Sequence, residues 1–338
     1  WASQYVYRTA DRGDTWQRIS PDLTRNLDWR QLPIMGKVQE ADAISLHEST
    51  TAISNVVSLD ESPLLEGLIY AGTDDGLLQV TEDGGKTWRK VEDFPSVPKW
   101  TYVSDVFASP LDANVVFVAF NNWQRGDFKP YLLKSSDRGR TFTSITANLP
   151  DKHDVWSVIQ DHVNGNLLFA GTEFGVFASV DGGKAWTELK GNLPKTQIRD
   201  MAVQKRYSDL ILGTFGRSFW ILDNIGVLRQ ATPQLTTENL HVFDPVDPQR
   251  GLDRNIAIDY YLKNDADTVK IEVLDASGNR FHRHMRDVIE AALRFGAQRP
   301  GVELQADRHL PAHALIADAI LARRPDEAEA AMRDLLLR

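Results

Sequence analysis

The residues that could do chemistry in this sequence sit in three short, related stretches. Asp74 and Asp75 lie in Gly72-Thr73-Asp74-Asp75-Gly76, Glu173 lies in Gly171-Thr172-Glu173-Phe174-Gly175, and a shortened copy, Gly213-Thr214-Phe215-Gly216-Arg217, carries Arg217. Two carboxyl groups about 5–9.5 Å apart can cleave an acetal, and an arginine can hold an anionic substrate. Asp74, Asp75, Glu173 and Arg217 are therefore the candidate catalytic set. The same residue types occur in any solvated loop, so binding without turnover is the competing reading. Arg125, Arg199, Tyr131 and Tyr207 are further polar groups with no evident partner in sequence.

A second group of aspartates reads differently. The pattern S/T-x-D-x-G-x-T/A-W/F occurs four times, at residues 9–16, 81–88, 135–142 and 179–186. Its fixed positions are Asp11, Gly13 and Trp16; Asp83, Gly85 and Trp88; Asp137, Gly139 and Phe142; and Asp181, Gly183 and Trp186. A hydroxyl and a carboxylate two residues apart can saturate the backbone of a tight turn, with Gly supplying positive φ. The closing aromatic then anchors the outgoing strand in a core. These twelve residues are structural: the motif predicts buried aspartates in β-hairpins, away from any cleft.

The elements around the motif repeat with it. Residues 53–57, 67–73 and 76–80 read as three strands leading into the hairpin, and Trp88 opens a fourth. The same order recurs over 102–145 and 155–189, and a last unit over 209–223 lacks a complete hairpin. The hairpin aspartates lie 72, 54 and 44 residues apart. The first gap is lengthened by a polar insertion, residues 22–51, without clear period. A unit of about 45 residues is propeller spacing. The fold class is thus all-β: an Asp-box β-propeller over residues 1–230, incomplete because propellers usually carry about four to eight blades. In such a meander the loops between second and third strands share one face, opposite the hairpins. A linker and small β-sandwich-like segment follow over 231–285. A helical tail spans 286–338, its last two segments an αα-hairpin whose apolar faces imply self-association or docking.

Composition narrows the classes. Net charge −9 argues against a nucleic-acid partner, and zero cysteines excludes disulfides, thiol catalysis and Cys-ligated zinc. No apolar run approaches the roughly 18 residues of a membrane helix. All nine tryptophans lie in the first 220 residues and the last lysine is Lys270, which marks a compositional boundary. The chain opens at Trp1 without a signal-peptide pattern and is expected to be an excised piece. Nothing in the sequence calls for a cofactor or a metal.

The hairpins, together with Ser20-Pro21-Asp22-Leu23-Thr24-Arg25-Asn26, Lys129-Pro130-Tyr131, Asn148-Leu149-Pro150, Asn192-Leu193-Pro194 and residues 213–218, resemble the bacterial BNR/Asp-box repeat proteins related to sortilin-type propellers. Many of these are called glycosyl hydrolases because sialidases and xyloglucanases share the box. The resemblance implies a periplasmic or extracellular (secreted) module that recognises a protein, peptide or glycan ligand. It leaves open carboxylate-based glycoside hydrolysis, or a purely structural role in a larger two-propeller protein. Residues 313–320 and 326–332 resemble the last helices of FadR/GntR-type regulator domains. A histidine at the place of His313 can ligate a metal there, but the other ligands lie in helices this chain lacks.

Overall fold

The computed structural model describes residues 3–33, 35–40, 42–44, 53–245, 258–264 and 268–269. Two units divide the chain at residues 292/293, and the second lies outside the described residues. So do His313 and the whole expected helical tail.

Four antiparallel sheets follow one another along the chain. Blade I is β3 (Val56–Glu61), β4 (Ile69–Thr73), β5 (Leu78–Thr81) and β6 (Arg89–Val91), and these pair in sequence order. Blade II is β7 (Tyr102–Ala108), β8 (Val116–Asn122), β9 (Asp127–Ser135) and β10 (Thr143–Ser144). Blade III is β11 (Val155–Gln160), β12 (Leu168–Thr172), β13 (Gly175–Ser179) and β14 (Thr187–Glu188). Blade IV has three strands: β15 (Ile198–Gln204), β16 (Asp209–Thr214) and β17 (Phe219–Leu222). A small hairpin, β1 (Tyr7–Arg8) with β2 (Gln17–Arg18), precedes them. The fold is that of a β-propeller module. Beyond it, α1 (Gly226–Gln230) packs on blade IV, and β18 (Leu240–Val242) pairs with β19 (Tyr260–Leu262). The rest of the expected sandwich lies outside the described residues.

The middle strands are apolar on both sides because each blade is sandwiched. β8 reads Val116-Phe117-Val118-Ala119-Phe120 without an exposed residue. Phe117 and Ala119 face blade III, whereas Val116, Val118 and Phe120 face blade I. At about 25 cal/mol per Å² of apolar area, such double burial is the main cohesive term.

First strands cohere through a repeated device. Each carries a bulge at the same register, which leaves Val57, Ser104, Trp156 and Arg199 unpaired. The next residue reaches the following blade. Ser58 Oγ donates to Val103 O at 3.1 Å and Ser157 Oγ to Ile198 O at 3.2 Å. In blade II the same place is Asp105, whose carboxylate accepts Val158 N–H at 2.8 Å. Asp105 keeps a partly exposed surface, yet burial first, and the nearby Asp200 and Asp60 carboxylates, push its pKa up to about 7. Gly72 and Gly171 lie opposite the serines, and an added Cβ at either would stand 2.3 Å from the serine hydroxyl.

Each Asp-box closes its hairpin with bonds that span two to four residues. In blade I, Thr81 Oγ1 donates to Asp83 at 2.8 Å, Gly85 N donates to Thr81 Oγ1 at 2.9 Å, and Thr87 N and Oγ1 donate to Asp83 at 2.9 and 2.7 Å. Asp11 and Asp137 hold the equivalent bonds, and all four motif glycines have positive φ. Ala185 supplies only its N–H to Asp181, at 3.0 Å.

Two expectations for the motif are corrected. Its aspartates are not buried: Asp83 is exposed and the others half-buried, held by hydrogen bonds at the rim. Nor does every closing aromatic enter a core. Trp186 is 4% exposed and donates to Ile145 O of the preceding blade, whereas Trp16 is 51% exposed. No blade precedes Trp16 among the described residues, and its indole turns to its own Gly13 O. Trp88 reaches Ile19 O, and Phe142 packs half-buried against Phe94.

The insertion over 22–51 is also less independent than its composition implies. Leu23 is buried with Val6, Val56 and Ala71, and Arg25 N and Nε donate to Asp75 Oδ2 and O at 2.8 and 2.9 Å.

Candidate functional site

The loop between second and third strands meets the segment entering the next blade. At Gly76, an added Cβ would stand 2.6 Å from Trp100 Cα. The loop between first and second strands instead meets the Asp-box hairpin, with Gly84 N donating to Gly67 O at 3.0 Å. The two loop sets thus occupy opposite faces.

On the first of these faces the nominated carboxylates are already occupied. Asp75 is fully covered; its oxygens accept Thr73 Oγ1 at 2.6 Å, Arg25 N at 2.8 Å and Ser54 Oγ at 2.9 Å. Asp74 accepts Ser54 N and Asn55 N, both at 2.8 Å, and burial raises its pKa. Both tie the entry of β3 to the loop behind β4. Among the described residues no hydrogen bond or ion pair joins Asp74 or Asp75 to Glu173 or Arg217. Arg217 is exposed, and its carbonyl accepts Trp220 Nε1 at 3.0 Å.

Glu173 belongs to a different group, which the sequence reading did not assemble. It accepts Trp156 Nε1 at 2.9 Å and Gln197 Nε2 at 2.7 and 2.9 Å. Gln197 Oε1 in turn accepts Arg199 Nε at 2.8 Å. The Arg199 guanidinium lies over the Trp156 ring, 3.6 Å from its centroid, and 5.0 Å from that of exposed Phe215. Trp156 and Arg199 are the bulge residues of adjacent first strands, which is why they meet. Phe215 is fixed by its N–H to Gln197 O at 3.0 Å. Nη1 and Nη2 of Arg199 have no partner among the described residues. A guanidinium locked on one edge and stacked on its face presents a preset fork to a carboxylate or phosphate.

Next to this platform, His153 bonds Thr172 Oγ1 at 3.0 Å and meets Phe174 and Phe177 edge-on at 5.4 Å; burial lowers its pKa. Asp154 is buried with Oδ1 unpaired, and burial followed by the nearby Glu173 charge raises its pKa to about 6. Tyr131 gives its hydroxyl to Asp127 at 2.7 Å. Arg125 lies over Trp100 and donates to Lys99 O at 2.8 Å, outside the platform. Among the described residues no cluster of three His, Asp or Glu could hold a metal, and no helix is long and apolar enough to cross a membrane.

No family model matches the chain. A xyloglucanase from a Paenibacillus species is 26% identical over 170 residues, covering 45% of this chain and 16% of that protein. The chain therefore spans about a sixth of that relative's length. Among solved structures, an ancestral GH74 enzyme aligns at TM-score 0.44 and 19% identity, over 62% of this chain and 25% of its own. YCF48 bound to D1 peptide aligns at TM-score 0.35 and 17% identity, over 52% and 55%.

Proposed function

We propose that this propeller module recognises a carboxylate-bearing ligand, an acidic stretch of a peptide or protein, on the Trp156–Arg199–Phe215 platform, without turning it over. One observation carries the reading: Arg199 is positioned by Gln197 and Glu173 while its terminal nitrogens stay open beside two aromatic rings. Phe215, Phe174 and Arg217 are exposed on the same set of loops and extend the contact surface. Catalysis by Asp74, Asp75 or Glu173 has less support, because hydrogen bonds from surrounding residues already engage each of them.

The test is binding of Asp/Glu-rich peptides against matched Asn/Gln peptides, followed by fluorescence polarisation. Wild type is expected to prefer the acidic set. A hydrogen bond between charged groups contributes about 1.5–3 kcal/mol, so Arg199→Gln should weaken binding about 10- to 100-fold. Arg199→Lys should not restore it, since an ammonium lacks the planar fork. Equal binding of both peptide sets, or by Arg199→Gln and wild type, overturns the proposal.

The hydrolase reading keeps one specific observation, the raised Asp154 carboxyl beside Glu173, a pattern of acid–base pairs. It predicts reducing sugar released from xyloglucan and lost in Asp154→Asn. Absence of turnover with wild type removes it.

A further inference from the structure

The Arg199 stack has a counterpart at the entry to blade II. Two guanidiniums lie over the Trp100 ring, with Arg25 at 5.7 Å and Arg125 at 5.9 Å from its centroid. Arg25 is already paired, its Nη1 donating to Glu92 at 3.0 Å and its Nε to Asp75 O at 2.9 Å. Arg125 is exposed and tethered through Nη1 to Lys99 O at 2.8 Å. Among the described residues no carboxylate pairs with Arg125. Its Nη2 and Nε therefore stay open, on the same short 3-10 turn as exposed Trp123.

The tryptophan stands there against a conformational cost. Trp100 has φ 67°, in the left-handed region that bulky residues avoid. Counting back three residues from Val103 and from Val155 gives Trp100 and Lys152, and Lys152 has φ 66°. The turn thus needs a left-handed residue and not an aromatic one, and such outliers collect at ligand clamps. Arg125 comes from the loop between second and third strands, as Phe215 does in blade IV, so both stacks open on one face. Tyr102 connects them. It is half-buried and two residues on from Trp100; burial and then the Asp74 charge raise its pKa against the opposing Arg199 charge.

We propose that the Trp100–Arg125 stack is a second carboxylate subsite, and that the ligand is a peptide with two acidic residues separated by uncharged ones. The proposal rests on the Arg199 reading and narrows its ligand. Two blade steps separate the subsites, and at about 10 Å between packed sheets that is about 20 Å. An extended chain rising ~3.3 Å per residue spans it with about five residues between the acids. The middle of that chain passes Tyr102 and Asp74, where a further carboxylate meets a like charge. Once one acid is seated, the second binds at the effective concentration set by the linker, which raises affinity without a new partner.

The test is fluorescence polarisation of the full chain with dye-labelled Asp-(Ser/Gly)-Asp peptides, capped at both termini. The Ser/Gly spacer runs from about one to about ten residues, and each peptide is matched by versions with either Asp changed to Asn. A spacer near five residues should bind about 10-fold or more tighter than either single-acid version, and the shortest spacer should show no gain. Arg125→Gln should remove the gain with the circular dichroism spectrum unchanged. Arg125→Glu should instead prefer the peptide with one Asp replaced by Lys, a reversal that loss of folding cannot produce. Two-acid peptides that gain nothing at any spacing, or a gain that survives Arg125→Gln, overturn the proposal. The Arg199 reading then still stands if Arg199→Gln weakens single-acid binding. Single-acid binding indifferent to Arg199→Gln removes both.

Discussion

Removing Arg229 should expose how α1 is fastened to the propeller. Arg229 Nε and Nη2 donate to Asp161 Oδ2 and Oδ1 at 2.9 and 2.8 Å, and Nη1 donates to Ser208 Oγ at 2.7 Å. Asp161 is fully covered and also accepts Val163 N and Asn164 N at 3.0 and 2.8 Å. Arg229→Leu keeps apolar volume but leaves a covered carboxylate without its cation. Breaking a buried pair on one side costs about 3–5 kcal/mol, and the lower end applies here because the two N–H donors remain. At about 2–4 °C per kcal/mol, the melting temperature should fall by roughly 6–12 °C at neutral pH. The Arg229 hydrogen bonds and charge hold the Asp161 pKa below its ordinary value against the opposing effect of burial. A depressed carboxylate contributes stability above its unfolded pKa, near 4, and that contribution is lost as pH falls through the folded value. The gap between wild type and Arg229→Leu should therefore narrow below about pH 4. Thermal unfolding followed by tryptophan fluorescence across pH 3–7 reads both effects. A variant within about 0.5 kcal/mol of wild type at pH 7, or a gap that widens in acid, refutes the reasoning.

Other perturbations test the packing between blades and their first strands. Gly171→Ala places a Cβ 2.3 Å from Ser157 Oγ and 2.8 Å from Ile198 O. Overpacking of this kind costs about 1–3 kcal/mol in urea unfolding, and a second change, Ser157→Gly, should recover only part, because the carbonyl stays. Asp105 gives the opposite pH signature to Asp161. Its folded pKa is raised to about 7, so its contribution is greatest below the unfolded value near 4 and shrinks as pH rises toward 7. The stability difference between wild type and Asp105→Asn should fall over that window, and a difference that grows with pH would contradict it. Losing the Asn148 clasp, whose Nδ2 donates to Trp186 O at 2.9 Å and whose Oδ1 accepts Trp186 N at 2.7 Å, should cost about 1–3 kcal/mol in Asn148→Ala.

Local features were readable from the sequence and those between blades were not. The Asp-box hydroxyl, carboxylate and glycine act within five residues, so their spacing alone encodes the turn. The four-strand order was readable for the same reason, since each strand pairs with its sequence neighbour. Asp74 and Asp75 looked available because their partners are remote: Arg25 donates across 50 positions and Ser54 across 21. Trp156 and Arg199 were missed as a pair because the stack spans two blades and depends on the bulges. A signal was present, however. Aligning the first strands on Val56, Val103, Val155 and Ile198 puts Val57, Ser104, Trp156 and Arg199 at one position that varies while its neighbours stay apolar, serine or aspartate.

That position varies for a physical reason. A residue within the ladder must satisfy its cross-strand neighbour and the facing blade at once, and the ladder positions on either side of the bulge are Val or Ile before it and Ser or Asp after it. The bulge releases one residue per blade from the ladder while holding its Cα on a rigid strand. It is thus the place where a large or charged side chain enters with the least loss of blade packing. Val57 and Ser104 use it for cohesion or leave it bare, and Ser104 Oγ donates to Val155 O at 2.7 Å. Trp156 and Arg199 use it to build the platform. Val57→Arg should accordingly be tolerated within about 0.5 kcal/mol, as at other exposed positions. Trp156→Ser should instead release Glu173 and Gln197 together and abolish acidic-peptide binding even with Arg199 intact. Retention of binding in that variant would show that Arg199 needs no aromatic floor, and the platform reading would fail.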